Sequence, residues 1–303
     1  MLSRRDIEKE LGREINIVPL IRSNFKENSI NLTASHNAWT TGMGTVYWFG
    51  GLNFGPSDGP KKIGAKTFKK GDNCVFYAKH REHSEKIIIL LPHATTLIET
   101  SEVIGVGSKI GGALHSKVGL VSKGVGHIGT MLGPGYCGHL LIALHNITDD
   151  IIAIRVGSTF VSLSFDYLNT TVPRTSTTVS GHIDKFSELG ITINEETRAY
   201  LTEDWKSTIS GIREKMVATD AYKEYRNYIK QNKWKELRNY LSKRNIIAII
   251  VALVILVGFY YIAQTLDSNL PNPIWVDRFW NVGLSGCVGS LIIGLIRFIR
   301  DEK

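Results

Sequence analysis

The run from Gly105 to Gly112, with Lys109 inside it, holds residue types that bind phosphate: glycines let successive backbone N–H groups turn toward an anion, and the lysine adds a point charge. The same glycines, with Gly124, Gly126, Gly133 and Gly135 further on, serve equally well as β-turn formers. Other chemistries find little support. No H-x-E with a downstream P-C-x-x-C occurs, so a zinc-activated water has no ligand set. Cys74, Cys137 and Cys287 are far apart and form no C-x-x-C, which excludes a structural zinc site and a disulfide framework. With no secretory signal at the N-terminus, the expected setting is reducing and cytoplasmic, and neither cofactor nor metal is expected.

The elements that would position these residues change character along the 303-residue chain, a length that suggests about two domains. The overall figures, 43% hydrophobic and 21% charged, are those of a globular protein. Collagen-like, coiled-coil and disordered classes are excluded, because the 29 glycines have no period, no heptad persists and aromatics are plentiful. Residues 1–170 read as short strands bounded by Gly, Pro, Asn or Asp, among them Lys86 to Leu91, Leu140 to Leu144, Ile151 to Val156 and Thr159 to Phe165. This predicts a mainly β barrel or sandwich. Residues 171–193 are a Ser/Thr-rich linker. Residues 194–244 contain no Pro and only Gly211, so a helical neck is predicted, with Tyr222, Tyr225, Ile229, Leu237, Tyr240 and Leu241 as its apolar stripe.

From Tyr222 to Arg244 eight Lys and Arg stand against Glu224 and Glu236, which accounts for most of the formal +8 charge. This cluster directly precedes Ile246 to Ala263, an uncharged run of 18 residues long enough to span most of a ~30 Å hydrocarbon core. Phe279 to Ile296 is a second uncharged run, and Asp267, Pro271, Pro273, Asp277 and Arg278 supply a connection. The basic flanks predict two spans over residues 245–299 in the cell inner membrane with both termini cytoplasmic. Each cation would gain about 1 kcal/mol beside anionic headgroups, and no DNA or RNA partner is expected. Gly286, Ser290 and Gly294 leave one helical face of the second run without bulk, which suits close packing within the hairpin or between subunits.

Six segments carry a resemblance. The opening LSRRDIEKEL, then ENSINLTAS (Glu27 to Ser35), LLPHATTLIETSEVI (Leu90 to Ile104), KVGL (Lys117 to Leu120), GPGYCGHLLIALHN (Gly133 to Asn146) and IAIRVGSTFVSLSF (Ile152 to Phe165) together resemble the dCTP deaminase and dUTPase superfamily, in its order. The resemblance implies a distorted β-barrel, a trimer, and nucleotide sites between neighbouring subunits. It also places His115, Ser116, Lys117, Lys123, His127, Tyr136 and His139, with Lys109, Gly111 and Gly112, around the family site, where deaminases hold phosphates. In the family a C-terminal strap often closes over the phosphates, and Arg174 falls in the matching stretch, which a plain linker would equally explain.

The departures fall on the chemistry. Where deaminases have Arg-Ser-Ser, this chain has Gly112, Ala113 and Leu114, and the Asp that usually precedes the Pro-Gly pair is Gly133. The general base of deaminases aligns with Ala143, which accepts no proton, so no catalytic residue is assigned and an enzyme is not expected. Glu99 and Glu102 are read as ordinary strand residues.

The reading that follows is a membrane-anchored nucleotide sensor or effector of bacterial antiviral defence. Its architecture resembles antiphage effectors that join a β-barrel receptor for cyclic oligonucleotides to two transmembrane helices. Its partners would be a nucleotide ligand, inner-membrane lipid, further copies of itself as a trimer or higher oligomer, and a nucleotide-signal synthase. A membrane-tethered dCTP deaminase or dUTP pyrophosphatase with displaced residues is the alternative, and a membrane adaptor that binds only protein is the third.

Overall fold

The computed structural model describes residues 1–48, 54–55, 64–80, 83–126, 129–172 and 182–240, with isolated positions between 254 and 269. These divide into two compact units, Met1–Ile229 and Lys230–Lys303. The first is mainly β.

It opens with α1 (Arg4–Glu10), started by a capping box in which Ser3 and Asp6 satisfy each other's backbone N–H groups. Strands β1 (Ile15–Val18), β2 (Ser29–Thr40), β3 (Gly44–Trp48), β4 (Phe54–Gly55), β5 (Gly64–Phe68), β6 (Val75–His80) and β7 (His83–Leu90) follow. Next come β8 (Thr95–Val106), β9 (Ile110–Ser116), the single turn α2 (Val118–Val121), β10 (Val125–Gly126), β11 (Met131–Leu132), β12 (Cys137–Asn146), β13 (Ile152–Arg155) and β14 (Thr159–Tyr167). Four helices complete the described order: α3 (Ile183–Glu188), α4 (Glu195–Leu201), α5 (Ile209–Ala218) and α6 (Asp220–Tyr240).

The principal sheet is antiparallel, eight strands in the order β10-β12-β8-β2-β14-β9-β11, with β1 added to β8. Two three-stranded sheets, β13-β7-β6 and β4-β3-β5, stand beside it. Alternation along β12 sends Leu140, Ile142 and Leu144 into the barrel core with Ile98, Leu32, Leu163 and Phe165. The opposite parity, Leu141 and Ala143, faces outward with Leu97 and Trp39.

That outer face is covered by the chain itself. Phe186, Ile191 and Leu201, from α3, the following loop and α4, pack on Trp39 and Leu97, with the Trp39 and Phe186 rings 4.4 Å apart. Beyond them Ile212 of α5 packs with Val103 and Cys137. A Cβ at Gly105 would stand 3.0 Å from the Ile212 side chain, so this glycine lets α5 approach β8. At the start of α6, Tyr225 is buried against Phe25 and donates its hydroxyl to Glu8 at 2.7 Å. The stretch assigned to a neck thus contains three α-helices, and the first turns of α6 pack on α1 and the loop before β2.

The sequence runs 246–263 and 279–296 lie almost wholly outside the described residues, as do Gly286, Ser290, Gly294, His127 and Arg174. Among the described residues no helix is long and apolar enough to cross a membrane.

Because Phe186 belongs to a satellite cluster and Phe165 to the barrel core, their truncations should differ in kind. Phe165→Ala should cost about 3–5 kcal/mol in denaturant unfolding of the full chain. Phe186→Ala should cost less and speed amide hydrogen exchange in residues 183–201 ahead of β8 and β12; uniform acceleration across all three would refute the separate cover.

Candidate functional site

Strand β9 carries four of the residues singled out in the sequence, Gly111, Gly112, His115 and Ser116. His115 lies near its C-terminal end and Lys117 just beyond it, where the β14 ladder pairs Ser162 with His115 and Val161 with Ser116. His115 Nε2 lies 2.9 Å from the Ser164 hydroxyl, and the Lys117 ammonium donates to Thr159 Oγ1 at 2.9 Å. Partial burial, and then the charge of Lys26, lower the Lys117 pKa. Lys123 is exposed in the turn after α2 and Lys109 is exposed ahead of β9. Gly111 and Gly112 are buried ladder residues: β14 pairs with both, β11 pairs with Gly112 on the other side, and a Cβ at Gly112 would overlap the Ser164 carbonyl. Their backbone serves the sheet rather than an open anion nest.

Tyr136 and His139 sit elsewhere, on and just before β12, separated from β9 by β8, β2 and β14 in the sheet order. His139 is buried, and its Nδ1 is 2.8 Å from the Thr100 carbonyl, which fixes Nδ1 as the protonated nitrogen and leaves Nε2 a bare acceptor. Among the described residues Nε2 has no partner. Burial, reinforced by the Lys206 charge, pushes this imidazole down to about 4. The Tyr136 hydroxyl donates to the His139 carbonyl, so at 3.0 Å its oxygen accepts from His182 Nε2 at the start of α3. Burial raises the Tyr136 pKa strongly.

Ala143 pairs with Leu97, and two positions along the same ladder Leu141 pairs with Glu99. Directly paired residues share a face, so Glu99 lies on the outer face with Ala143. Its carboxyl is fully buried; Oε2 accepts from Asn37 Nδ2 at 3.4 Å, and Oε1 has no partner among the described residues. Burial pushes Glu99 up to about 8, against the opposing pull of Asn37 and Lys206. Glu102 differs: Thr33 donates its N–H at 2.9 Å and its hydroxyl at 2.8 Å, so this carboxylate ties β8 to β2. Above Glu99 the helical cover supplies Lys206, whose ammonium is buried 3.3 Å over the Tyr200 ring, donates to the Tyr200 carbonyl and lies 3.6 Å from Glu203. The Tyr200 ring is in turn 5.4 Å from that of His139.

The arrangement can therefore hold polar groups in two places: an open cationic edge at His115 and Lys117, and a closed acid–base cluster of Glu99, His139, Asn37 and Lys206. Of the second, only His139 was singled out in the sequence. Glu99 and Glu102, three residues apart, lie on opposite faces of β8, and both prove buried because both faces are covered. Among the described residues no group of His, Cys, Asp and Glu is arranged to hold a metal ion.

The dCTP deaminase-like family model matches residues 1–168, more than half of the chain, and the protein belongs to that family. No curated protein matches the sequence. Among solved structures, a 2'-deoxycytidine 5'-triphosphate deaminase from Agrobacterium tumefaciens is similar at 12% identity over 62% of this chain, with a TM-score of 0.37. The similarity spans 52%, about half, of that deaminase. A dUTPase from phage phi11 of S. aureus is similar at 18% identity over 32% of this chain and 85% of its own, TM-score 0.25. The EIAV dUTPase is similar at 19% over 34% and 90%, TM-score 0.26.

The buried carboxyl makes a pH prediction. The folded protein holds the Glu99 proton more tightly than an unfolded chain, whose carboxyl titrates near 4.5, so stability falls as pH rises from there toward about 8. His139 acts oppositely, with stability falling as pH drops from 6.5 toward about 4. Between pH 6.5 and 8 the Glu99 effect should dominate. Glu99→Gln should leave stability near pH 5 almost unchanged, raise it at pH 8.5 by on the order of a few kcal/mol, and flatten the slope; an unchanged slope in thermal melts would refute a buried, protonated Glu99.

Proposed function

We propose that this protein is a membrane-anchored nucleotide sensor or effector whose barrel binds a nucleotide without turning it over. The observation that carries this reading is the environment of position 143. Where deaminases align a general base, a methyl group lies on the outer sheet face among Leu97, Leu141 and the helical cover, so that position provides no oxygen to activate water. The cations and hydrogen-bonding groups that the family resemblance assigns to phosphate recognition are His115, Ser116, Lys117 and Lys123, with Tyr136 and His139 at the start of the distant strand β12. In this reading a second subunit supplies one set opposite the other, as in an oligomer with sites between neighbours.

In this reading the barrel occupies residues 1–170, followed by a Ser/Thr-rich linker or strap over 171–193, a helical basic neck over 194–244 and a two-span hairpin over 245–299 in the inner membrane. Support for the hairpin is the length and lack of charge of its two runs and the cations that flank them. A role in antiviral defence, with a nucleotide-signal synthase as partner, rests on the analogy of domain arrangement.

One observation favours a second reading, a tethered dCTP deaminase or dUTP pyrophosphatase. Glu99 places a carboxyl on the same sheet face as Ala143, one strand across.

The full chain, reconstituted in nanodiscs, should bind a deoxynucleoside triphosphate or a cyclic di- or trinucleotide in calorimetry and release neither deoxyuridine nucleotide nor pyrophosphate from dCTP or dUTP. Lys117→Ala should weaken binding about tenfold, the loss of one charge-assisted contact. Turnover abolished by Glu99→Gln would establish the second reading instead, and no binding of any of these nucleotides would overturn the first.

A further inference from the structure

On the far side of His36 from the helical cover, a cleft of about 280 Å³ opens between strands of all three sheets. Its lining is His36 from β2, Lys66 from β5, Asn73 and Val75 at the start of β6, Tyr77 from β6 and Lys86 from β7. No lining residue is acidic, and among the described residues neither Lys66 nor Lys86 has a carboxylate partner. Tyr77 and Lys86 are a directly paired couple in the β6–β7 ladder, with the ammonium 5.3 Å from the ring centroid. The Asn73 Oδ1 is taken by the Val75 N–H at 2.8 Å, which turns the remaining amide function of that side chain into a donor.

The two ammonium groups meet here with an imidazole from a separate sheet and repel, with no carboxylate in the lining. That repulsion registers at His36, whose pKa is lowered by desolvation first and by Lys86 second, against the smaller opposing pull of Glu196 from α4. The groups around the cleft are donors: two ammoniums, an amide nitrogen and a phenol hydroxyl. A small polyanion would reverse the repulsion and use each donor at once. The volume lies at the bottom of the ~300–1,000 Å³ range of small-molecule sites, so the ligand is compact.

We propose that this cleft is a binding site for a small soluble phosphate-bearing ligand, held by Lys66 and Lys86 and separate from the His115 and Lys117 edge. It belongs to no part of the nucleotide site proposed above and does not depend on it.

Sodium tripolyphosphate is the probe, titrated calorimetrically into the full chain at fixed ionic strength, with phosphatidylglycerol-containing vesicles at equal phosphate as a second arm. Saturable binding of tripolyphosphate is expected. Lys66→Ala with Lys86→Ala should weaken it at least about tenfold, since two charge-assisted contacts are lost, and Lys→Arg at both positions should restore most of it. Lys69→Ala with Lys70→Ala, which removes two neighbouring exposed charges outside the cleft, should change affinity less than about twofold. The proposal is overturned by absence of saturable binding, by equal losses in the two double variants, by loss through Lys117→Ala instead, or by binding to vesicles alone.

Discussion

Strand β8 has no solvent face. Of its twelve residues only Thr95 and Ser101 are even half-exposed, so apolar or polar, each side chain must find a buried environment on one side or the other of the sheet. An antiparallel sheet normally resolves this by wetting one face. Here the inner face fills the barrel, and the outer face is closed by α3, α4 and α5, whose Phe186, Leu201 and Ile212 come from sequence well beyond the last barrel strand. The barrel and these helices therefore share a buried joint within Met1–Ile229, and a truncation at the end of β14 would expose Trp39, Leu97 and Val103 together.

Covering the outer face has an electrostatic consequence. Glu99, Asn37 and His139 are sealed where water would otherwise satisfy them, and the cover brings a buried lysine with it. Leaving a charged carboxylate there would cost more than leaving it protonated, and leaving the imidazole charged next to Lys206 would cost more than leaving it neutral. The cluster settles as a neutral acid beside a neutral base, with Lys206 the resident charge, paired to Glu203 and seated on Tyr200. Tyr200 also touches His36 at a ring separation of 6.1 Å, so α4 has the closed cluster on one side and the rim of the cationic cleft on the other.

Much of the architecture could be read in the sequence because it depends on local patterns. The alternation in Cys137–Asn146 and Thr159–Tyr167, the turn residues between strands and the Pro-free stretch after residue 194 each specify an element from neighbours a few residues away. What escaped depends on pairing. The glycine run suits a phosphate nest or β-turns equally by type, yet Gly105 makes room for Ile212, a Cβ at Gly107 would overlap the Glu14 carboxylate, and Gly112 is enclosed by two strands. Burial of Glu99 requires the helical cover contributed by residues far along the chain, and the cleft requires His36, Lys66 and Lys86 to meet from strands of three sheets. No spacing rule along the chain encodes either.

The methyl at position 143 and the cover over it explain one another. A carboxyl at the centre of β12 would have to remain hydrated or be paired, and α3 and α4 could then lay Phe186 and Leu201 across the adjacent Leu97 only by holding it protonated, as Glu99 is held one strand across. Alanine removes that obstacle, and the helices dock. Conversely, once they dock, a water-activating residue at 143 would be shut away from any substrate as large as a nucleotide. The acidic function retained on this face, Glu99, is held protonated by the same enclosure, which disfavours proton abstraction at neutral pH for as long as the cover is closed. The methyl at position 143 and the helical cover over it are thus mutually compatible, and together they make this face a buried joint between barrel and helices.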